Sequence, residues 1–142
     1  METAILGLML DSGVLIAAER AGMTSLEVIK NIQFSVGDVP IIISALTVAE
    51  LGHGIYRAQL RERSQQRRQF LDELKGSVPV HPVTEVTAEI IARIGGEQAA
   101  KGINLPLGDL IIGASALELG YAVGTRNLRD FNRIPGLRVV QV

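Results

Sequence analysis

Three carboxylates stand within otherwise apolar stretches of the chain. Asp11 follows ILGLML, Glu50 ends IIISALTVAE, and Asp109 lies in INLPLGDLIIGASAL. None of these stretches contains a lysine or an arginine, and burying an ionised carboxylate is costly unless a positive charge compensates it. A bound Mg²⁺ or Mn²⁺ would supply that charge, because these cations prefer oxygen ligands. If the carboxylates converge in the fold, they predict a metal site that hydrolyses phosphodiester bonds.

Strand and helix patterns alternate along the sequence. Strands are predicted at Ala4 to Leu10, IIIS after Pro40, Val78 to Val80, YAVGT and LRVVQV. Helices are predicted at VLIAAERAG ended by Gly22, Thr24 or Ser25 to about Phe34, Thr47 to Ala58, Arg61 to Lys75 stopped by Gly76, Thr84 to Lys101, and Leu107 to Leu119 closed by Gly120. Because parallel strands need a crossover between them, this alternation predicts an α/β fold. We expect one domain over residues 1–142, with a parallel sheet of about five strands and helices on both faces.

The predicted elements bring the acids toward one place. In open parallel sheets, sites form beyond the carboxyl ends of the strands. Asp11 stands at the exit of the first strand, Glu50 lies about one turn into the helix after the second, and Asp109 opens the helix that leads into the fourth. Three more polar residues follow the fourth strand: Thr125, Asn127 and Asp130. We therefore expect the four carboxylates to meet at one edge of the sheet.

Each acid also has an ordinary structural explanation. Asp11 is a favourable N-cap for the next helix, and Thr47 with Glu50 matches a capping box. Asp109 in the first turn of a helix interacts favourably with the helix dipole, and Asp130 fits an exposed loop. These explanations treat the residues one at a time, and they do not account for four acids at one edge of the sheet.

Composition narrows the class of protein. The chain has 142 residues, of which 47% are hydrophobic, as expected for one compact domain. It contains no cysteine, which excludes disulfides, thiolate zinc sites and a cysteine nucleophile and suits a reducing cytosol. The first apolar run is far shorter than the ~20 residues of a membrane span, so we expect a cytoplasmic protein with no membrane association.

Arginines are concentrated in two segments, although the net charge is only −1. The first segment contains Arg57, Arg61, Arg63, Arg67 and Arg68, and the second contains Arg126, Arg129, Arg133 and Arg138. Two interpretations are open. The segments are either a solvated helix face and a polar loop, or a surface that binds phosphate groups.

Four blocks carry a family resemblance. LMLDSGVLIAAE, ISALTVAEL, LPLGDLIIGASAL and VGTRNLRDFNRIPGLRV, in this order, resemble the successive motifs of PIN-domain proteins, and the length is similar to that of VapC-type ribonuclease toxins of bacterial toxin–antitoxin pairs. The resemblance implies a single PIN-like domain whose core acids are Asp11, Glu50 and Asp109, with Asp130 as the fourth. These acids would hold Mg²⁺ or Mn²⁺ for metal-dependent endoribonuclease activity.

The resemblance also implies supporting roles. Ser12 and Thr125 would position water or phosphate, and Arg126 and Arg129 would contact the RNA backbone. An acid sometimes stands in relatives where this chain has Asn127, so both Asn127 and Asp130 are candidates for the fourth position. Many relatives read Asp-Thr-Asn after the first strand, whereas this chain reads Asp-Ser-Gly.

Partners follow from the same resemblance. A small VapB-type antitoxin and a homodimer are expected, in addition to the RNA substrate. Apolar residues that could contact a partner, although core packing explains most of them better, are Leu26, Ile29, Phe34, Tyr56, Leu60, Phe70, Leu71 and Leu74. Two alternatives are a non-catalytic module of the same fold that binds RNA or protein, and a phospho-acceptor receiver domain. The receiver requires a paired acid beside Asp11 and a late lysine, and no lysine follows Lys101.

Overall fold

A computed structural model describes residues 4–142 and contains five strands and seven helices within them. The strands are β1 Leu8–Leu10, β2 Ile41–Ser44, β3 Val80–His81, β4 Ala122–Thr125 and β5 Val139–Gln141. The helices are α1 Ser12–Arg20, α2 Ser25–Val36, α3 Ala45–Arg57, α4 Arg61–Ser77, α5 Glu85–Ala100, α6 Leu107–Leu119 and α7 Leu128–Phe131. Within residues 4–142, no helix has both the length and the apolar character needed to cross a membrane.

The five strands form one parallel sheet in the order β3-β2-β1-β4-β5. Leu10, the last residue of the central strand, pairs with Ile43 of β2 and with Gly124 of β4. The carboxyl ends of these three strands therefore lie side by side. The predicted α/β fold with a five-stranded parallel sheet is confirmed. The receiver interpretation is wrong, because that fold has the strand order 2-1-3-4-5.

Helices cover both faces of the sheet, as predicted. Leu8 and Leu10 point into a core shared with α1 to α4, while Met9 between them points to the opposite face, in keeping with the two-residue period of a strand. The second core is built from α5 to α7 around Met9 and the fully buried Phe131. The buried sheet provides a rigid base from which α1, α3, α6 and α7 project side chains at its carboxyl edge.

Two prolines explain differences from the predicted boundaries. The first strand starts at Leu8 and not at Ala4. Its neighbour β2 starts at Ile41, as predicted, because Pro40 has no N–H with which to extend the ladder, and β1 begins at the residue that pairs with Ile41. Helix α4 passes the predicted stop at Gly76 and ends at Ser77, since the residue before Pro79 is disfavoured in helical conformation. The third strand is accordingly Val80–His81 and not Val78 to Val80.

The start of α3 and the presence of α7 also differ from the prediction. Helix α3 begins at Ala45, two residues before the predicted Thr47, because the side chain of Ser44 accepts a hydrogen bond from the Leu46 amide at 3.1 Å and caps the helix. The four-residue helix α7 was not predicted as an element, since a single turn is too short to show periodicity.

Half of the apolar residues considered for partner contacts belong to the core. The buried members are Ile29, Phe70, Leu71 and Leu74. The exposed members are Leu26, Phe34, Tyr56 and Leu60, and Phe34 is the most open at 95% exposure. Only this second group remains available to a partner.

Candidate functional site

Asp11 is oriented toward β4 and not toward the helix that it precedes. It occupies the N-cap position of α1 but makes no side-chain capping hydrogen bond. Its Oδ2 accepts a hydrogen bond from Thr125 Oγ1 at 3.0 Å. Thr125 Oγ1 in turn accepts a hydrogen bond from the backbone N–H of Asn127 at 2.9 Å. The capping explanation of the Asp11 side chain is therefore wrong. The buried threonine instead connects this carboxylate to the segment after β4.

Glu50 is joined to α1 in a similar way. Ser12 Oγ donates a hydrogen bond to Glu50 Oε2 at 3.0 Å. The proposed capping box of Thr47 and Glu50 is not formed, because Ser44 caps α3 and the Thr47 hydroxyl is buried without a hydrogen-bond partner among the described residues. Glu50 is exposed on α3, and its carboxylate is held beside the start of α1.

The pKa of Asp109 is raised because the residue is partly buried and lies near the other acids. Asp109 lies in the first turn of α6. The pKa of its carboxyl is raised from 3.8 to about 6, chiefly by burial and then by the negative charges of Asp11, Asp130 and Glu50, in that order. The described residues include no salt bridge to any of these four acids. The edge of the sheet is thus a concentration of uncompensated negative charge.

Asp130 lies on α7 and is held by Asn127, the residue that precedes this helix. Asn127 Nδ2 donates a hydrogen bond to Asp130 Oδ2 at 2.8 Å. The side-chain amide therefore orients the carboxylate of the residue three positions further along the chain. The charge of Asp130 also acts on Asp109, which places this acid, and not only the amide, next to the cluster. The explanation of Asp130 as an unrelated loop acid is inconsistent with these contacts.

The donor set fits a hard divalent cation, although its present arrangement does not yet form a coordination sphere. Carboxylate oxygens are the preferred ligands of Mg²⁺ and Mn²⁺, and four carboxylates meet here with no salt bridge to any other described residue. Across residues 4–142, no three acidic or histidine side chains are placed so that they could hold an ion as they stand. Three of the acids instead accept hydrogen bonds from neighbouring side chains. Asp11 accepts one from Thr125, Glu50 from Ser12, and Asp130 from Asn127.

The two arginine segments have different environments. In the first, Arg63 and Arg67 pair with Glu19, and Arg68 pairs with Asp72. Much of that segment is therefore a network of surface ion pairs, as the solvated-face interpretation predicts.

In the second segment, Arg126 and Arg129 flank Asn127 next to the acidic site. Both are exposed, and neither makes a hydrogen bond or an ion pair with the described residues. Their side chains are available to a ligand at the edge of the sheet.

Sequence reasoning missed the residues that brace α6, the helix that carries Asp109. Glu118 accepts a hydrogen bond from Thr87 Oγ1 at 2.6 Å, and its other oxygen lies 3.4 Å from Nε2 of His81. These contacts join α6 to α5 and to β3. No local pattern signals them, because the partners lie 31 or more positions apart in the sequence.

Thr125 and Thr47 form a matched pair for a stability test. Both are fully buried, but within residues 4–142 only the Thr125 hydroxyl is hydrogen-bonded. We expect Thr125→Val to lower the free energy of unfolding by about 1–3 kcal/mol, because the Asn127 N–H and the Asp11 carboxylate each lose a partner. Thr47→Val should be neutral or stabilising, since it removes an unpaired hydroxyl. Urea denaturation measures both; equal losses in the two variants would contradict the structural role of the Thr125 hydroxyl.

Comparisons with known proteins agree with this geometry. The family model described as PIN domain matches residues 8–137. A protein named ribonuclease VapC from Rickettsia bellii is 29% identical over 96% of this chain and 97% of its own length. A protein named tRNA(fMet)-specific endonuclease VapC from Salmonella typhimurium is 29% identical over 75% of this chain and 79% of its own. The crystal structure of DNA-bound VapBC from Salmonella typhimurium superposes with a TM-score of 0.79 at 26% identity, covering 96% of this chain and 98% of that one.

Proposed function

The chain belongs to the PIN domain family, and from this premise we propose that it is a metal-dependent endoribonuclease that acts as the toxin of a toxin–antitoxin pair. The similarity to proteins named as VapC ribonucleases supports the class of reaction. The observation that carries the proposal is the convergence of four carboxylates at the sheet edge: the charges of Asp11, Asp130 and Glu50 raise the pKa of Asp109, and none of the four acids has a salt bridge within residues 4–142. A cluster of this kind is stabilised by a cation.

We assign the metal to the four carboxylates. Asp11, Glu50 and Asp109 would hold Mg²⁺ or Mn²⁺, and Asp130 would be the peripheral fourth ligand. When bound, such an ion activates water and stabilises charge on a phosphodiester. Thr125 keeps the Asp11 carboxylate aimed at the site.

Two hydrogen-bonded side chains support the outer acids. Ser12 orients Glu50, and Asn127 holds Asp130 in place. Many relatives carry a second polar side chain after the first strand. This chain has the exposed Gly13 at that position. A water molecule would occupy that space.

We assign RNA as the substrate and the cytoplasm as the place of action. Arg126 and Arg129 are exposed beside the acids, and their side chains make no hydrogen bond or ion pair with the described residues. Guanidinium groups bind phosphate oxygens with paired hydrogen bonds. We therefore assign these two arginines to the RNA backbone on the β4 side of the site.

We further propose that a VapB-type antitoxin silences the chain and that two copies form a homodimer. Support for the antitoxin comes from solved complexes of similar chains, such as VapBC of Salmonella typhimurium. The exposed apolar side chains of Leu26, Phe34, Tyr56 and Leu60 offer surface for such contacts. These four positions are the first to examine when a complex is obtained.

The test of the proposed function is direct. The purified protein is incubated with total RNA, with and without Mg²⁺, and the cleaved ends are mapped. We expect cuts at defined positions only in the presence of the metal ion. RNA binding without any cleavage would instead establish the non-catalytic module as the function of this fold.

Asp130 and Asn127 can be distinguished by substitution. We expect Asp130→Ala to reduce metal-dependent cleavage more than Asn127→Ala, because a carboxylate is a stronger ligand than an amide that serves to orient it. The loss in Asp130→Ala should be smaller than in Asp11→Ala, since water can partly replace a peripheral ligand. Initial cleavage rates at limiting Mg²⁺ measure the three variants. Full activity of Asp130→Ala would place this acid outside the metal site.

A further inference from the structure

A cavity lies beside Glu50, between α1, α3 and α4. Its volume is about 60 Å³, and its rim includes Glu50, Arg20 and Arg57. A single water requires only about 10–15 Å³ of such space, so the cavity is large enough to admit one phosphate group. It opens next to an acid of the proposed catalytic site, and it differs from that site in carrying arginines.

Apart from Glu50, which belongs to the proposed metal site, the free charges on the rim of the cavity are positive. Glu19 also lines it, but Arg63 and Arg67 already approach this carboxylate, at 3.5 Å and 3.8 Å. Arg67 additionally donates a hydrogen bond to the Gly54 carbonyl at 2.6 Å and is fixed in place. Arg20 and Arg57 are exposed, and their side chains make no hydrogen bond or ion pair with the rest of residues 4–142. These two guanidinium groups are therefore available to an anion.

The spacing along α3 connects the cavity to the acids. Arg57 follows Glu50 by seven residues, which places both on the same face of the helix and about 10 Å apart along its axis. Gly54 lies between them and has no side chain to block the path. A stacked nucleic-acid strand carries a phosphate every ~3.4 Å, so this distance corresponds to a few nucleotides.

The sheet order places a second arginine group on the other side of the acids. Strands β2 and β4 flank β1, so α3 with Arg57 lies on one side of Asp11, while Arg126 and Arg129 lie on the other. A strand of RNA that spans both groups would pass over the four carboxylates. We take a nucleic acid as the occupant, because the proposed ribonuclease function requires a phosphodiester of the bound strand to lie at the four carboxylates between the two arginine groups.

We propose that Arg20 and Arg57 form a phosphate subsite that holds the RNA a few nucleotides away from the cleaved bond. The inference rests on the proposed ribonuclease function and assigns positioning residues to it. Arg20 and Arg57 do not touch the reacting atoms. They anchor the substrate, so their loss weakens binding and leaves the chemical step intact.

Binding of a fluorescein-labelled single-stranded RNA of about 12 nucleotides, a typical site length, tests the subsite. Anisotropy is measured in the Asp109→Asn background, so that the RNA stays uncut. We expect Arg20→Gln and Arg57→Gln each to weaken binding and to reduce the slope of log affinity against log salt by about 0.7. Arg93→Gln, an exposed arginine on α5 at the opposite face of the sheet, is the matched control and should leave the slope unchanged.

Cleavage kinetics provide a second readout. With Asp109 intact, Arg57→Gln should raise KM and leave kcat within about twofold, as expected for loss of uniform binding. An unchanged salt slope in both arginine variants would overturn the subsite. Equal loss of binding to a polyglutamate peptide of the same length would overturn it in favour of a protein-docking surface. If the parent chain cuts no RNA but the slopes still fall, the subsite stands and the proposed nuclease activity fails.

Discussion

Asp109→Asn is expected to abolish metal-dependent RNA cleavage and, at the same time, to stabilise the metal-free protein at neutral pH. Activity is lost because a proposed ligand loses its charge. Stability rises because burial and the charges of Asp11, Asp130 and Glu50 disfavour the ionised form of Asp109. The gain is about 1 kcal/mol once solvent screening of a partly exposed carboxyl is taken into account.

The sign of the pH dependence follows from the direction of the pKa shift. In the folded, metal-free protein the pKa of Asp109 is raised from 3.8 to about 6. Protonated Asp109 therefore favours folding, and this contribution is fully present below pH 3.8 and lost as the pH rises through about 6. The wild-type chain in EDTA should lose this contribution between these pH values, whereas Asp109→Asn should not.

Thermal denaturation at several pH values, together with RNA cleavage assays, measures both effects. Asp38→Asn is the control, because Asp38 is an exposed acid outside the cluster. It should retain cleavage and show no gain in stability. An Asp109→Asn protein that loses activity only because it unfolds would show that the carboxylate is structural.

Mg²⁺ is expected to raise the melting temperature of the wild-type protein, and EDTA to abolish cleavage without unfolding it. A ligand at one hundred times its Kd stabilises the folded state by about 2.7 kcal/mol, which corresponds to roughly 5–10 °C for a chain of this length. The physical reason is that the cation relieves repulsion among Asp11, Glu50, Asp109 and Asp130.

Differential scanning fluorimetry measures this shift. NaCl at matched ionic strength is the control and should produce little change, because screening alone does not coordinate carboxylates. Asp109→Asn should respond more weakly to Mg²⁺ than the wild type. Cleavage that continues in excess EDTA would refute the metal-dependent mechanism.

The alternation of elements could be predicted from the sequence because buried parallel strands and amphipathic helices leave clear periodic patterns. The boundaries of these elements were harder to predict. Pro40 limits β2 and thereby shortens β1, which pairs with it, so this boundary depends on tertiary structure. Helix α3 begins earlier than predicted because Ser44, and not Thr47, is its N-cap. Capping rules identify several candidate residues, but only the surrounding packing determines which of them is used.

The location of the acidic cluster could also be predicted, since it follows from the topology of a parallel sheet. The orientation of each carboxylate could not. Asp11 turns to Thr125 and not to its own helix, and Glu50 turns to Ser12. The cavity near Arg20 was missed because it lies between three helices that are separated along the chain.

The hydrogen bond from Thr125 to Asp11 spans 114 positions in the sequence. At about 5–20 residues per second, a ribosome needs several seconds to travel from one to the other. During that interval the growing chain has its first acids but neither the fourth strand beside β1 nor the helix that bears Asp130. A nascent or truncated chain that stops before Thr125 and α7 therefore cannot assemble the cluster, and the proposed nuclease activity would be absent until these residues have been synthesised.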